Sequence, residues 1–488
     1  MTLRAQVISG LRWTVAARIL AQTVTWASTL VVIRILTPAD YGLLAMATIF
    51  VAFLSMFSEF GLGPAVVQRL EINIAMLRKV FGTILVVHAG LMALLLLAAP
   101  LISAFFDETK VVPIVRVLAL QLAIGAFGVI PDALLQRNMD FRRRSLLDLT
   151  SAIAGAVTTL GLALAGGGVW ALVAGTFLAQ ASKTIGVNIL APFPHWPTFS
   201  LSGLRSLVTF GGHTSASQLL WFFYSQADMF IAGKWLGKEL LGFYSVAMHI
   251  ASLPNQRMAA IINQVAFPAF SRMRHDDEQV GANLLLGVRL LSLVAFPILW
   301  GVSCIAPEAV NVIFGPKWKP AIVPLEVLAL VMPLRMIGNF VPNAIQGIGR
   351  SDILLRISLA GALIAPGAFL IGVNWGLLGL SIAWLVATPL LFLQNMAQSL
   401  PVLGLRFRQF GDAVWPAASA GILMFPAVSS ARYMTGDQTG ILHLTTLIGV
   451  GAVTYVAASF VLNRHSLREA YGLLRELLAT KAPDARPS

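Results

Sequence analysis

The sequence is almost free of cysteine. Cys304 is the only one in 488 residues, and it lies in an apolar stretch, so an intrachain disulfide and a cysteine-based metal site are both excluded. We interpret Cys304 as a small buried hydrophobic residue. The seven histidines show no metal-ligand spacing, and there is no nucleotide-binding P-loop. The sequence therefore predicts no metal and no cofactor, and ATP-driven transport would require a partner subunit.

Charged residues are also scarce. They make up 11% of the chain, against 57% hydrophobic residues, and the mean hydropathy is +0.81. This composition excludes a soluble globular domain and is typical of a polytopic membrane protein. Apolar runs long enough to span a bilayer recur along the whole chain, and they predict an all-α integral membrane protein of about fourteen transmembrane helices.

Basic residues are distributed unevenly between the two sides that these spans define. Most of the 34 Lys and Arg residues fall in the segments on one side, which the positive-inside rule assigns to the cytoplasm. Both termini are then cytoplasmic. The net charge of +13 reflects this topology, so it does not indicate nucleic-acid binding.

Two parts of the chain resemble each other. The stretch "RILTPADYGLLAMA" from Arg34 matches "KWLGKELLGFYSVA" from Lys234, and the alignment places Gly42 over Gly242. Weaker matches follow in the same order, which predicts two pseudo-symmetric six-helix bundles with the same orientation in the membrane. We expect spans 1 to 6 in residues 1–205, spans 7 to 12 in 206–405, two extra spans in 406–465, and a cytoplasmic amphipathic helix with a tail in 466–488.

Polar residues recur at helical spacing inside several predicted spans. In the first span, Arg18 and Gln22 begin a face that continues through Thr25 and Thr29. This face requires a wet cavity or a partner helix, because a charged side chain is costly at the bilayer centre. Similar faces occur in spans 7, 8 and 10. Together they give the candidate binding residues Arg18, Gln22, Gln218, Arg257, Arg335, Asn339 and Asn343.

Two interpretations of the arginines within spans remain open from sequence alone. Each arginine pairs with an acidic residue to hold helices together, or the arginines line a cationic cavity in which guanidinium groups bind phosphate and amides contact sugar hydroxyls. Arg289 lies near an inner span end and can snorkel. Neither Arg289 nor Arg335 has an acid at the same depth in neighbouring sequence. The acids available for pairing are Glu59, Asp132, Asp148 and Asp228.

Several longer motifs resemble a known family. They are "RILTPADYGLLAMATIF", "FSEFGLGPAVVQR", "QADMFIAGKWLGKELLGFYSVA", "AFPAFSRM" and "VIFGPKWKPA", and they are similar to the Wzx-type polysaccharide flippases of bacteria, in the superfamily of multidrug, oligosaccharidyl-lipid and polysaccharide exporters. The resemblance implies fourteen helices around a V-shaped cavity. It also implies export of undecaprenyl-pyrophosphate-linked oligosaccharides across the inner membrane, for exopolysaccharide, capsule or O-antigen assembly, and polymerase and chain-length proteins as partners besides membrane lipid.

On this interpretation Arg18, Arg257 and Arg335 bind pyrophosphate, and the protein is not an enzyme. Asp228 and Glu59 are the candidates for ion coupling. Two alternatives stay open. A cation-coupled multidrug exporter would rely on carboxylates in the first bundle, and a membrane polymerase would need a larger outer loop than "FFDETK" at 105–110.

Overall fold

The computed structural model describes residues 20–58, 73–138, 140–200, 205–272, 277–436 and 440–479, and within these ranges every regular element is a helix. Nine of the described helical stretches are long and apolar enough to cross a membrane. The expectation of an all-α, multi-pass membrane protein is confirmed. The helices are α1 Leu20–Ile35, α2 Pro38–Ser58, α3 Ile74–Phe106, α4 Val111–Arg137, α5 Phe141–Leu164, α6 Val169–Leu190, α7 Arg205–Arg272, α8 Asp277–Ala309, α9 Ile322–Gly347, α10 Ser351–Gly372, α11 Gly376–Ser399, α12 Phe407–Ile422, α13 Met424–Thr435, α14 Ile441–Leu462 and α15 Arg464–Ala479.

Short polar residues begin several of these helices. The side chain of Asn73 accepts a hydrogen bond from the backbone N–H of Met76 at 2.7 Å and caps α3. Asp140 caps α5 in the same way, through the N–H of Arg143. Each cap satisfies a backbone donor that the first helical turn leaves unpaired. The starts of α3 and α5 therefore follow from local sequence.

The chain divides into two compact units, Met1–Ser245 and Val246–Ser488. Helix α7 is interrupted within the first unit at Gly237, whose φ of 76° and ψ of 178° are not helical. A positive φ of this kind is readily adopted only by glycine. The part of α7 up to Ser245, which includes this interruption, belongs to the same unit as helices α1 to α6.

In the first unit, two glycines of the sequence repeat make a reciprocal contact. A Cβ atom on Gly42 would lie 1.7 Å from the carbonyl oxygen of Lys238, and one on Gly242 would lie 1.8 Å from that of Pro38. Pro38 and Lys238 are themselves equivalent in the alignment that pairs Gly42 with Gly242. A contact in which each copy offers the same surface to the other is the arrangement produced by a local two-fold axis. The contact supports the repeat at these positions.

The second unit has its own core of large apolar side chains. Trp318, Trp384 and Phe369 are fully buried, and the rings of Phe369 and Trp384 lie 4.8 Å apart between α10 and α11. The last spans join this core through α8, where the Tyr455 hydroxyl donates to the Leu293 carbonyl at 3.1 Å. The core holds α9 and α11 side by side, and these two helices carry the polar residues described next.

Candidate functional site

The structure describes some of the predicted site residues and not others. Arg18 and Glu59 lie outside the described residues, and the side chains of Gln218 and Arg257 lie outside the described part of α7. In the first unit Gln22 is partly buried on α1, and Asp228 lies on α7. In the second unit α9 carries Arg335, Asn339 and Asn343.

Arg335 is held by an aromatic ring. Its guanidinium carbon lies 4.2 Å from the ring centroid of Trp384, and the arginine is half-buried. Where the structure describes the chain, Arg335 forms no ion pair with an acidic residue. A desolvated cation–π contact contributes about 2 kcal/mol, and stacking uses one face of the guanidinium plane while its N–H edge stays available. The contact therefore presents a charged, oriented fork suited to a phosphate group.

The asparagines on α9 continue this polar face toward the end of the helix. The Asn343 amide donates to the Asn339 carbonyl at 3.1 Å, and Asn339 is exposed. The amide of Asn343 is thus oriented by its own helix, and the Asn339 side chain is accessible. Arg335, Asn339 and Asn343 lie one turn apart, as their spacing predicts.

Helix α11 adds polar residues that the sequence analysis missed. The Asn395 amide donates to the Gly338 carbonyl on α9 at 3.0 Å, and the Ser399 hydroxyl donates to Asn395 at 3.1 Å. Within the described residues, the buried amide oxygen and nitrogen of Gln394 and the amide oxygen of Gln398 have no hydrogen-bond partner. Trp384, Asn395 and Ser399 fall on one helix face, so helical spacing in this span was a usable signal.

Asp228 is buried at 1% exposure in the first unit. It accepts a hydrogen bond from the Tyr244 hydroxyl at 2.8 Å and one from the Met229 N–H at 2.8 Å. These two donors satisfy hydrogen-bonding capacity that burial would otherwise leave unpaired. Tyr244 was not among the sequence-based candidates. Ion coupling through Asp228 stays a prediction.

Two of the acids that the sequence offers for pairing, Asp132 and Asp148, bind basic residues near the span ends. Asp132 accepts two hydrogen bonds from Arg144, at 3.0 and 3.2 Å, and Asp148 lies 2.8 Å from Lys183. These carboxylates are already neutralised. The arrangement gives no support to a drug-exporter site built on them.

Arg289 differs from Arg335 because it has an acidic partner. Its guanidinium binds both carboxylate oxygens of Glu469 on α15, each at 2.7 Å. Arg289 therefore pairs with an acid, but with none of the four acids that the sequence analysis considered: its partner lies 180 residues away in the chain. The pair ties the amphipathic helix α15 to the span α8.

This pair predicts a pH-dependent attachment of α15. Burial raises the pKa of Glu469, but the hydrogen bond and charge of Arg289, with a smaller effect of His465, lower it below the usual 4.5. The stabilisation is thus complete above about pH 4.5 and is lost as the pH falls through the lowered pKa. We expect Glu469→Gln to lower the free energy of unfolding at pH 7 by about 1–3 kcal/mol, measured by thermal unfolding in detergent. The exposed neighbour Arg468→Gln should have no effect, and equal losses in both variants would contradict the assignment.

Comparison with known proteins assigns the chain to a family. The model of a family described as "Polysaccharide biosynthesis protein" matches residues 31–323. The chain belongs to this family. Within it the chain is of the Wzx type, as the sequence motifs indicated.

Relatives of this Wzx-type chain align along most of its length. The lipopolysaccharide biosynthesis protein WzxC of Escherichia coli (strain K12) is 24% identical over 85% of this chain and 85% of its own length. The succinoglycan biosynthesis transport protein ExoT of Rhizobium meliloti (strain 1021) is 27% identical over 93% and 92%. The solved structure of the lipid II flippase MurJ in an inward closed conformation has a TM-score of 0.73 and 14% identity, covering 94% of this chain and 99% of that chain. The Wzx-type chain shares this fold and is a membrane transporter of polysaccharide biosynthesis, not an enzyme.

Proposed function

We propose that the protein is a flippase that exports undecaprenyl-pyrophosphate-linked oligosaccharide units for polysaccharide assembly. The observation that carries this proposal is Arg335, a half-buried cation stacked on Trp384 with no acidic partner among the described residues. An unneutralised arginine within a span is costly unless a polar ligand or water reaches it. A pyrophosphate offers the oxygens that a guanidinium fork binds in pairs.

The cargo would be recognised by two kinds of group. Arg18, Arg257 and Arg335 would bind the pyrophosphate and any acidic sugar. Amide side chains suit sugar hydroxyls, because they both donate and accept hydrogen bonds. The isoprenoid tail would stay in lipid while rocking of two bundles exposes the head group on the other side. The amides assigned to the sugar are Gln22, Gln218, Asn339 and Asn343.

The membrane potential can drive such a substrate. Moving an anion from a negative interior to the outside gains about 2.3 kcal/mol per charge per 100 mV. A pyrophosphate-linked cargo therefore moves outward without an obligatory coupled ion. Coupling through Asp228 or Glu59 is the alternative within the same function.

The proposed topology follows the charge distribution. Fourteen spans in two six-helix bundles and two extra helices, in residues 1–205, 206–405 and 406–465, place both termini in the cytoplasm of a bacterial inner membrane. The tail region 466–488 then lies on the inner surface. There α15 would rest at the lipid headgroups. Polymerase and chain-length proteins of the same pathway would use the exported unit.

The first test is the leaflet on which the cargo accumulates when the gene is deleted. A membrane-impermeant probe should label the accumulated lipid-linked oligosaccharide in inside-out vesicles and not in intact cells, and restoring the gene should clear the accumulation. An unpolymerised unit on the outer leaflet would instead indicate a polymerase. Drug sensitivity without accumulation would indicate a multidrug exporter.

A further inference from the structure

Two ion pairs connect the loop after α3 with helix α7 in the first unit. Lys234 lies 2.7 Å from Asp107, and Lys238 lies 2.6 Å from Glu108. Glu108 is the more buried acid, with a side chain 15% exposed, against 77% for Asp107. The partners lie 127 and 130 residues apart in the chain. They join the first copy of the sequence repeat to the first helix of the second copy.

Asp107 occupies a backbone conformation that usually selects glycine. Its φ is 54°, and it is the only non-glycine residue with positive φ in the described parts of the chain. It ends α3 with its N–H bonded to the Ser103 carbonyl. A non-glycine residue in this conformation carries some backbone strain, and here the strained residue is the one whose carboxylate pairs with Lys234.

An aromatic cluster lies beside the ion pairs. The ring of Phe50 packs edge-on against Phe106 at 5.9 Å and against Phe230 at 5.2 Å. A Cβ atom on Gly233 would lie 2.5 Å from the ring of Phe106. The aromatic cluster Phe50, Phe106 and Phe230 therefore packs α2, α3 and α7 closely together beside the ion pairs.

We propose that Asp107, Glu108, Lys234 and Lys238 form an ionic lock that holds the outer end of the seam between the two copies closed. The proposal rests on the function proposed above, and the charge distribution of the spans assigns these residues to the outer side. The lock must open before cargo leaves on that side. Partly exposed ion pairs are individually weak, so two of them give a closed state that rocking of the bundles reverses.

The lock can be tested without cargo. In a Cys304→Ser background, Ser225→Cys places a reporter thiol on α7, nine residues before Lys234. A membrane-impermeant maleimide is applied to right-side-out and inside-out membrane vesicles. With Asp107→Asn and Glu108→Gln together, labelling from the outer side should become about threefold to tenfold faster, the range expected for losing two partly exposed ion pairs.

Two comparisons isolate the lock. Lys110→Gln removes an exposed charge from the same loop and should leave labelling unchanged. Exchanging the charges in both pairs, with Asp107→Lys, Lys234→Asp, Glu108→Lys and Lys238→Glu, should return labelling to the starting rate. Equal labelling of the neutral variant and the Lys110→Gln control would overturn the lock, as would faster labelling only in inside-out vesicles. Because labelling needs no oligosaccharide, it can succeed even where the proposed cargo is wrong.

Discussion

Alanine at Gly42 is expected to destabilise the protein strongly and to lower its yield in the membrane, and alanine at Gly242 should have the same effect. Each added Cβ would lie less than 2 Å from a backbone carbonyl oxygen of the other copy. A backbone atom cannot move away by changing a rotamer, so two helices would have to separate. Overpacking of a tight contact costs about 1–3 kcal/mol or more, and here we expect the upper end, against a total stability of about 5–15 kcal/mol.

The matched control is Gly90→Ala on α3, where a Cβ would meet nothing within 4 Å. Alanine is favoured over glycine inside a helix by about 0.5–1 kcal/mol, so this variant should keep or slightly raise the melting temperature. Membrane-inserted yield and size-exclusion profiles in detergent give the comparison. Monodisperse Gly42→Ala protein with an unchanged melting temperature would contradict the close reciprocal contact.

The helices were predictable because they leave a local signal in the sequence, and the two-copy repeat is a prediction from a signal of the same kind. Hydropathy marks the spans, and glycines at equal positions mark the two copies. That Gly42 and Gly242 face each other's copy was not predictable, since similarity between two segments does not say that they touch. The Arg289–Glu469 pair was missed for a related reason. Its partner lies on a helix that sequence alone assigns to the membrane surface.

Part of the geometry at the candidate site follows from the sequence, while the binding role of its residues stays a prediction. The face carrying Arg335, Asn339 and Asn343 follows from helical spacing on a single helix. Its support by α11 depends on which helices are neighbours, and local sequence does not encode that. The Trp384 contact illustrates the difference, because a tryptophan inside a span is ordinarily an apolar core residue. The spacing of Trp384 with Asn395 and Ser399 was visible, but only the packing of α11 on α9 gives it meaning.

Replacing Arg335 by alanine is expected to reduce export by about tenfold to a hundredfold while the protein remains inserted. Hydrogen bonds to a charged group contribute about 1.5–3 kcal/mol, and about 1.4 kcal/mol corresponds to a factor of ten. Lysine should restore only part of the activity, because it keeps the charge but loses the planar fork that stacks on Trp384. Export is measured as outer-leaflet appearance of lipid-linked oligosaccharide in the deletion strain carrying each variant.

The control for Arg335 is Arg356→Ala, which removes an exposed arginine on α10 and should not affect export.

A second variant, Trp384→Leu, separates the charge of Arg335 from the orientation that the stacked ring gives it. This variant keeps the arginine's charge but removes the ring that orients it, so export should fall by less than in Arg335→Ala. In the Trp384→Leu background, the export rates with lysine and with arginine at position 335 should also differ less than they do with Trp384 in place. If the lysine variant exports as fast as the arginine protein with Trp384 in place, a positive charge alone is sufficient. The hypothesis that an oriented guanidinium group binds the phosphate would then be wrong. If Arg335→Ala exports at the full rate, the half-buried cation is not on the path of the cargo, and the phosphate-binding role would have to be sought at Arg18 or Arg257.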